Sequence, residues 1–246
     1  MTIENHKIYN FDKRGRGPGT TMQDVLNQSL NTGMVFVEKQ MGRINLRNYL
    51  IGYDIGKKTG IDLPNETSGL ISNILTSPRE IEYANAAFGQ GIALTPVELI
   101  RALGSLANNG VMVVPHVVKE IKYDDGTDKI MTYGTTPTLI PPTIAQEITQ
   151  MMVTVMDKGL KSGLPHFSIA VKTGTAQIAD PVHGGYYANE HTHSFVGFFP
   201  ASHPKFIVFL YAVNPKGVMY SSETWTQPFL DITNFLLNYY NVQPDR

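Results

Sequence analysis

Residues 167–175 read FSIAVKTGT and residues 194–213 read SFVGFFPASHPKFIVFLYAV. Phe167–Val171, Ser194–Phe199 and Phe206–Val213 are short, β-branched and aromatic, a composition suited to a pleated, packed surface. The residues from Pro200 to Lys205 leave room only for a tight antiparallel turn between the last two. Phe206–Val213 is apolar on both faces, which predicts a sheet covered on both sides. Upstream the texture is helical. Thr21 reads as the N-cap of a first helix with Asp24 at its third position; that helix runs into Gln28-Ser29-Leu30-Asn31, and a second follows from Met34 to Gly42. Asn45–Tyr53 repeats apolar residues at helical spacing and ends in the loop Gly56-Lys57-Lys58-Thr59-Gly60. Thr95-Pro96-Val97-Glu98 is a capping box with proline at the first helical position. Leu99, Ile100, Leu103 and Leu106 form its inward stripe, and Asn109-Gly110 its stop.

A further helix opens at Thr143-Ile144-Ala145-Gln146, with Ile148, Met151, Met152 and Val155 inward and Gly159 after its end. Pro228 starts the last one, with Phe229, Ile232, Leu236 and Tyr239 on one face. Residues 1–20 are polar and glycine-rich and read as an extended lead-in rather than a packed element. Helices, then antiparallel strands, then a closing helix make the fold class α+β: an antiparallel sheet flanked by helices, with a helical lobe.

Composition narrows the function. The chain has 246 residues, 42% hydrophobic and 17% charged, enough for one or two full cores. Lys+Arg is 20 against Asp+Glu 21, so no basic face exists to release counterions and no nucleic acid is expected as a partner. The cluster Lys13-Arg14-Gly15-Arg16 is too short to change that. Cysteine is absent, which removes disulfides, thiolate zinc sites and a thiol nucleophile together. The longest apolar run has eight residues, where a membrane span needs about 20. The N-terminus has no apolar core, so no signal peptide is read there.

Chemistry concentrates in two short patterns. Lys172-Thr173-Gly174-Thr175 sits at the end of the strand FSIAV, where an ammonium and hydroxyls attract a carboxylate and glycine lets a substrate backbone approach. A second triplet, Lys58-Thr59-Gly60, has no strand to present it and reads as a loop. The other pattern is Ser29-Leu30-Asn31, a hydroxyl suited to relaying a proton and an amide suited to holding a substrate amide; by themselves such residues are ordinary helix caps. His183, His191 and His193 read as surface or hydrogen-bonded histidines rather than zinc ligands. The loop Asp180–Glu190 is read equally as a rim of the substrate groove and as a plain surface loop. The methionines at 151, 152 and 156 are core filler.

Taken together, "GTTMQDVLNQSLNTG", "KKTGIDLPNETSG", "FGQGIALTPVELIRALGSLANNGVMVVPHVV", "VKTGTAQ" and "HSFVGFFPASHP" resemble, in order and spacing, the transpeptidase domain of class B penicillin-binding proteins. The resemblance covers nearly the whole chain, with Val171 standing where family members commonly have glycine. It implies a peptidoglycan D,D-transpeptidase that acylates a serine with a D-Ala-D-Ala stem peptide and cross-links cell wall in division or elongation. Ser29 and Lys172 are then catalytic, Ser29 as the hydroxyl that shuttles a proton beside the catalytic lysine; Asn31 binds the substrate amide, and Lys172, Thr173, Gly174 and Thr175 hold the terminal carboxylate of a stem peptide or β-lactam. The backbone N–H of Thr175 is an oxyanion donor, worth about 2.7–4 kcal/mol of barrier. No metal or organic cofactor is implied. Family members are usually membrane-anchored and extracytoplasmic.

The family's nucleophile, the serine of an S-x-x-K helix, is not found. No serine precedes Ser29, and the single match, Ser202-His203-Pro204-Lys205, falls in the turn after the KTG strand, where Pro204 prevents a helical turn. The reading is therefore of one partial domain over 1–246, with 21–110 mainly helical lobe and 111–246 mainly sheet and flanking helices. A truncated product, a fragment and a degenerate homologue all fit, and the mid-domain start favours truncation. Acyl transfer by this chain alone is not expected. Two rivals remain: a non-catalytic homologue serving as a binding or scaffold module, and, less well matched, a β-lactamase or β-lactam sensor. Missing upstream elements predict a marginal monomer, or an oligomer or upstream fragment covering the exposed edge.

Overall fold

Two strand fragments, β1 (Thr2–Ile3) and β2 (His6–Lys7), pair antiparallel at the start of the computed structural model, which describes residues 1–246. This segment is packed, contrary to the expectation of a loose lead-in. Ile3 and Ile8 are buried against Val35, Ile81 and Ala84. Isolated isoleucines in a polar stretch show no period, so nothing local announced them. The turn between the strands, with Glu4 and Asn5 at positive φ, brings both to one side.

The helical lobe follows its caps. α1 (Met22–Asn27) has the N-cap expected at Thr21, and the structure closes it into a capping box: Thr21 Oγ1 accepts from Asp24 N–H at 3.1 Å while Asp24 accepts from Thr21 N–H at 2.9 Å. α2 (Asn31–Met41) follows α1 with only three residues between them and crosses it closely, because Gly33 has no side chain: a Cβ there would lie 2.5 Å from Val25 Cγ2. α3 (Arg43–Gly52), α4 (Ser72–Thr76) and α5 (Glu80–Ala87) complete the lobe. α6 (Pro96–Ala107) begins at the expected box, and Glu98 also accepts from Gly56 N–H at 2.9 Å. Its leucine stripe is only half-buried, since α6 bridges two clusters: Ala102 packs on the one that holds Ile74 and Tyr83, whereas Leu106 packs on the one that holds Met152 and Phe198.

Next, β3 (Val111–Val113) pairs with β6 (Thr135–Pro137), and β4 (Glu120–Lys122) with β5 (Asp128–Ile130) in an exposed hairpin. α7 (Pro142–Thr154) continues as a π-helical turn over Val155–Leu160, so helical structure runs through Gly159 instead of stopping before it.

The main sheet is antiparallel in the order β7 (Ala170–Ala179), β8 (Tyr186–Phe199), β9 (Phe206–Val213). β7 does not end at Val171: the polar stretch from Lys172 to Gln177 is strand because it pairs residue for residue with His191 to Val196. β8 likewise starts eight residues before Ser194. Both extensions come from cross-strand pairing, which composition does not register.

One sheet face packs Val171, Phe195 and Phe199 against Phe229, Leu237 and Val242; the other packs Ala170 and Phe198 against Met152 and Val153. β9 is covered on both faces only over its first half: Phe206, Val208 and Leu210 meet the Phe229 cluster and Ile207 the Met152 cluster, but Tyr211 and Val213 are 49% and 59% exposed. α8 (Ser221–Tyr239) starts seven residues before Pro228, which lies inside it. Glu223 nucleates that earlier start, accepting from the N–H groups of Tyr220 at 2.8 Å and Met219 at 3.1 Å. No helix is long and apolar enough to cross a membrane.

Phe229 is the keystone of the α8 face, its ring centroid 4.6 Å from that of Phe195 and 6.0 Å from that of Phe199. Phe229→Ala is expected to lower unfolding free energy by about 3–5 kcal/mol in urea titration. A loss under about 1 kcal/mol would contradict this packing.

Candidate active site

Ser29 sits at the corner between α1 and α2 with φ at +51°, a left-handed conformation that costs a non-glycine residue energy. Its neighbour holds it there. Leu30 is 2% exposed, and its N–H bonds Val25 O at 3.0 Å, so burial of the leucine pushes the serine hydroxyl outward. Into that corner comes Lys172 from β7, whose Nζ donates to Ser29 Oγ at 2.8 Å and to the Thr173 carbonyl at 2.7 Å. The contact joins residues 143 positions apart and ties the helical lobe to the sheet.

Lys172 is half-buried and faces no carboxylate. Desolvation of its ammonium lowers the pKa from 10.5 to about 8. Near neutrality such an amine both holds and releases a proton, and the Ser29 hydroxyl is in line to pass it on.

Asn31 and the residues after Lys172, the sequence's candidates for substrate contact, flank this Ser29–Lys172 contact. Asn31 opens α2 and its Nδ2 donates to Tyr9 O at 2.9 Å, leaving Oδ1 without a protein partner. Asn10, 4% exposed, secures this arrangement by accepting from Thr32 N–H at 3.1 Å and Thr32 Oγ1–H at 3.0 Å while donating to Arg14 O at 2.8 Å. Sequence reasoning missed it, because a lone asparagine in a polar stretch carries no signal. Thr173 is half-buried and Thr175 exposed along β7, one of the two outer strands of its sheet. Thr175 Oγ1 accepts from the N–H of Ser221 at 2.9 Å, so the start of α8 belongs to the site as well. Gly174 has an internal reason beside the expected one: a Cβ there would lie 2.5 Å from Ser194 Oγ on the paired strand.

Other sequence candidates fall outside this cluster. Thr59 of the second triplet is buried, and both its N–H and its hydroxyl donate to Glu66 at 2.6 Å, closing a turn. Ser202 lies in the turn after β8 and donates to Asp245 at 2.6 Å. His193 is 1% exposed; its Nε2 donates to Met219 O at 3.1 Å and its Nδ1 accepts from Thr224 Oγ1 at 2.8 Å, while burial lowers its pKa. No three His, Cys, Asp or Glu side chains are grouped to hold a metal ion. In the 180–190 segment, Asp180 closes a turn by accepting from Val182 N–H at 2.9 Å, and strand resumes at Tyr186. A cleft of about 1110 Å³ between α6, α7 and the 201–204 turn shares no residue with the Ser29–Lys172 cluster.

Residues 1–234 match the family model of the penicillin binding protein transpeptidase domain. The chain is 30% identical over 224 residues to stage V sporulation protein D of Bacillus subtilis, covering 89% of this chain and 34% of that protein. It is also 30% identical over 230 residues to peptidoglycan D,D-transpeptidase MrdA of Acinetobacter baumannii, covering 83% and 33%. Among solved structures, apo penicillin binding protein 3 from Mycobacterium tuberculosis superimposes with a TM-score of 0.89 at 25% identity, covering all of this chain and 57% of that one. The chain spans about a third of the length of the curated relatives it matches.

The Lys172 amine should titrate near 8 when followed by 13Cε NMR, against about 10.4 for a solvated lysine. Because the folded pKa lies below the unfolded one, the unfolded chain binds more protons between about 8 and 10.5, so stability rises with pH across that window. Lys172→Met should flatten this rise. A wild-type amine titrating above about 10 would contradict the desolvated site.

Proposed function

The chain belongs to the penicillin-binding protein transpeptidase domain family, among class B members, and from that premise we propose that it carries the proton-relay and carboxylate-binding walls of a serine D,D-transpeptidase site. The observation that carries this reading is the 2.8 Å contact from Lys172 Nζ to Ser29 Oγ beside the hydroxyls of Thr173 and Thr175. The substrate is a peptidoglycan stem peptide ending in D-Ala-D-Ala, or a β-lactam bearing the equivalent carboxylate. Thr173 and Thr175 donate O–H bonds to that carboxylate, with Gly174 between them and the Lys172 charge close by. Asn31 orients the acyl-side amide. The Thr175 N–H donates to the carbonyl oxygen as it gains negative charge.

In the reaction, the hydroxyl of an S-x-x-K serine attacks the penultimate D-Ala carbonyl. The hydroxyl's proton passes to the Ser29–Lys172 pair, and the C–N bond to the terminal D-Ala breaks as that pair delivers the proton to the leaving amine. The resulting ester then passes its acyl group to an amine of a neighbouring stem peptide, and the serine regains its proton. With a β-lactam the amide that breaks lies in the ring, so the leaving nitrogen stays tethered and the ester persists. The attacking serine comes from a polypeptide segment outside these 246 residues. The same reading sets that segment, or another copy of the chain, on the unpaired edge of β9 beside exposed Tyr211 and Val213. It also sets the site on the outer side of the cytoplasmic membrane.

A second reading, a binding module without acyl transfer, is favoured by one observation: the sole S-x-x-K, Ser202–Lys205, lies in a turn and its serine is bonded to Asp245. Intact-mass analysis after incubation with benzylpenicillin separates the two. A version extended upstream to carry an S-x-x-K helix should gain one acyl adduct, and the 246-residue chain none. An unmodified extended form would favour the binding module. A stoichiometric adduct on the 246-residue chain would overturn the assignment of the nucleophile to another segment.

A further inference from the structure

We propose that Ser221 is a positioning residue for the Thr175 hydroxyl: its backbone N–H fixes the direction in which Thr175 can donate. The inference rests on the carboxylate-binding reading above and names a residue that reading does not require. A threonine hydroxyl has one proton to give and two lone pairs to receive with, and ordinarily turns to suit its surroundings. At Thr175 that freedom is removed on one side. A backbone N–H can only donate, and that of Ser221 reaches Oγ1 at 2.9 Å, so the Thr175 proton cannot point toward α8. Thr175 donates to no group in the protein and is exposed on an outer strand, which leaves its proton for a ligand in the groove.

The N–H is itself held rigidly. Ser221 is fully buried and its hydroxyl donates to Ser194 O on β8. One turn on, Thr224 Oγ1 meets His193 Nδ1 at 2.8 Å and Trp225 Nε1 donates to His193 O at 3.2 Å. His193 and Ser194 are the partners of Thr175 and Gly174 across the strand pair. The first turn of α8 is therefore bound to the two residues that also set the height of the KTGT segment. As the first residue of α8, Ser221 has an N–H with no acceptor inside the helix, so orienting Thr175 removes nothing from the helix ladder. Sequence gave no sign of this, since the donor is a main-chain group 46 residues from the hydroxyl it orients.

The same position offers a direct test, because proline is tolerated at the first residue of a helix and lacks the N–H. Calorimetric titration of N-acetyl-D-alanyl-D-alanine and its C-terminal carboxamide would compare wild type, Ser221→Pro, Ser221→Ala, Thr175→Val and the Ser221→Pro/Thr175→Val double variant. Ser221→Pro should weaken binding of the acid by about five- to tenfold and that of the carboxamide, whose acceptor oxygen is uncharged, by less. Ser221→Ala, which keeps the N–H, should lose less. In the Thr175→Val background Ser221→Pro should have no further effect on the acid. If the proline ring prevents folding, an ester in place of the 220–221 amide deletes the same N–H without it. Undiminished acid affinity in the proline or ester variant would overturn the proposal, as would an equal loss with Val at 175, which marks a merely structural role. A wild type that does not distinguish acid from carboxamide would instead bring down the carboxylate reading, and this proposal with it.

Discussion

An ammonium drawn partly out of water, with no carboxylate to meet it, is costly unless something else accepts its hydrogen bonds. Lys172 meets that constraint with a hydroxyl and a carbonyl, Ser29 Oγ at 2.8 Å and Thr173 O at 2.7 Å. Neither acceptor is charged, so desolvation is only partly offset and the amine becomes a weaker base, at about 8. A carboxylate in the place of Ser29 would instead favour the charged ammonium and raise that pKa. Much of the architecture follows from keeping those two groups together. The left-handed backbone at Ser29, the buried anchor at Leu30 and the side-chain-free crossing at Gly33 aim the hydroxyl; the long pairing of β7 with β8 fixes the lysine.

A site built this way has walls from several distant parts of the chain. The lobe corner supplies Ser29 and Asn31, β7 supplies Lys172, Thr173 and Thr175, and the first turn of α8 supplies the N–H that Thr175 accepts. The leading segment belongs to the site's support as well, since Tyr9 and Asn10 hold Asn31 and Thr32. Phe11 of that segment packs edge-on against Tyr220 at 5.7 Å, which brings the support of the lobe corner to the start of α8.

What could be read in the sequence was what is locally encoded. The N-cap at Thr21 and the box at Thr95–Glu98 are closed by hydrogen bonds within four residues, and both are present where their residue types predicted. The Ser29 and Lys172 patterns were visible as residue types, but their meeting at 2.8 Å is a product of tertiary structure. The rest depended on distant partners. Lys172 to Gln177 is strand because of β8; α8 precedes Pro228 because Glu223 closes its first turn; Ile3 and Ile8 are core because Val35 and Ile81 are waiting for them. Main-chain donors such as Ser221 N–H have no side-chain identity for a sequence to display.

The most direct measurement of whether these walls form one site is amide chemical-shift mapping of the 15N-labelled chain during titration with N-acetyl-D-alanyl-D-alanine. A single carboxylate site predicts that residues 29–31, 172–175 and 221 shift together on one binding curve. Shifts confined to the cleft at Asn109, Gln146 and His203, or to one wall alone, would contradict it.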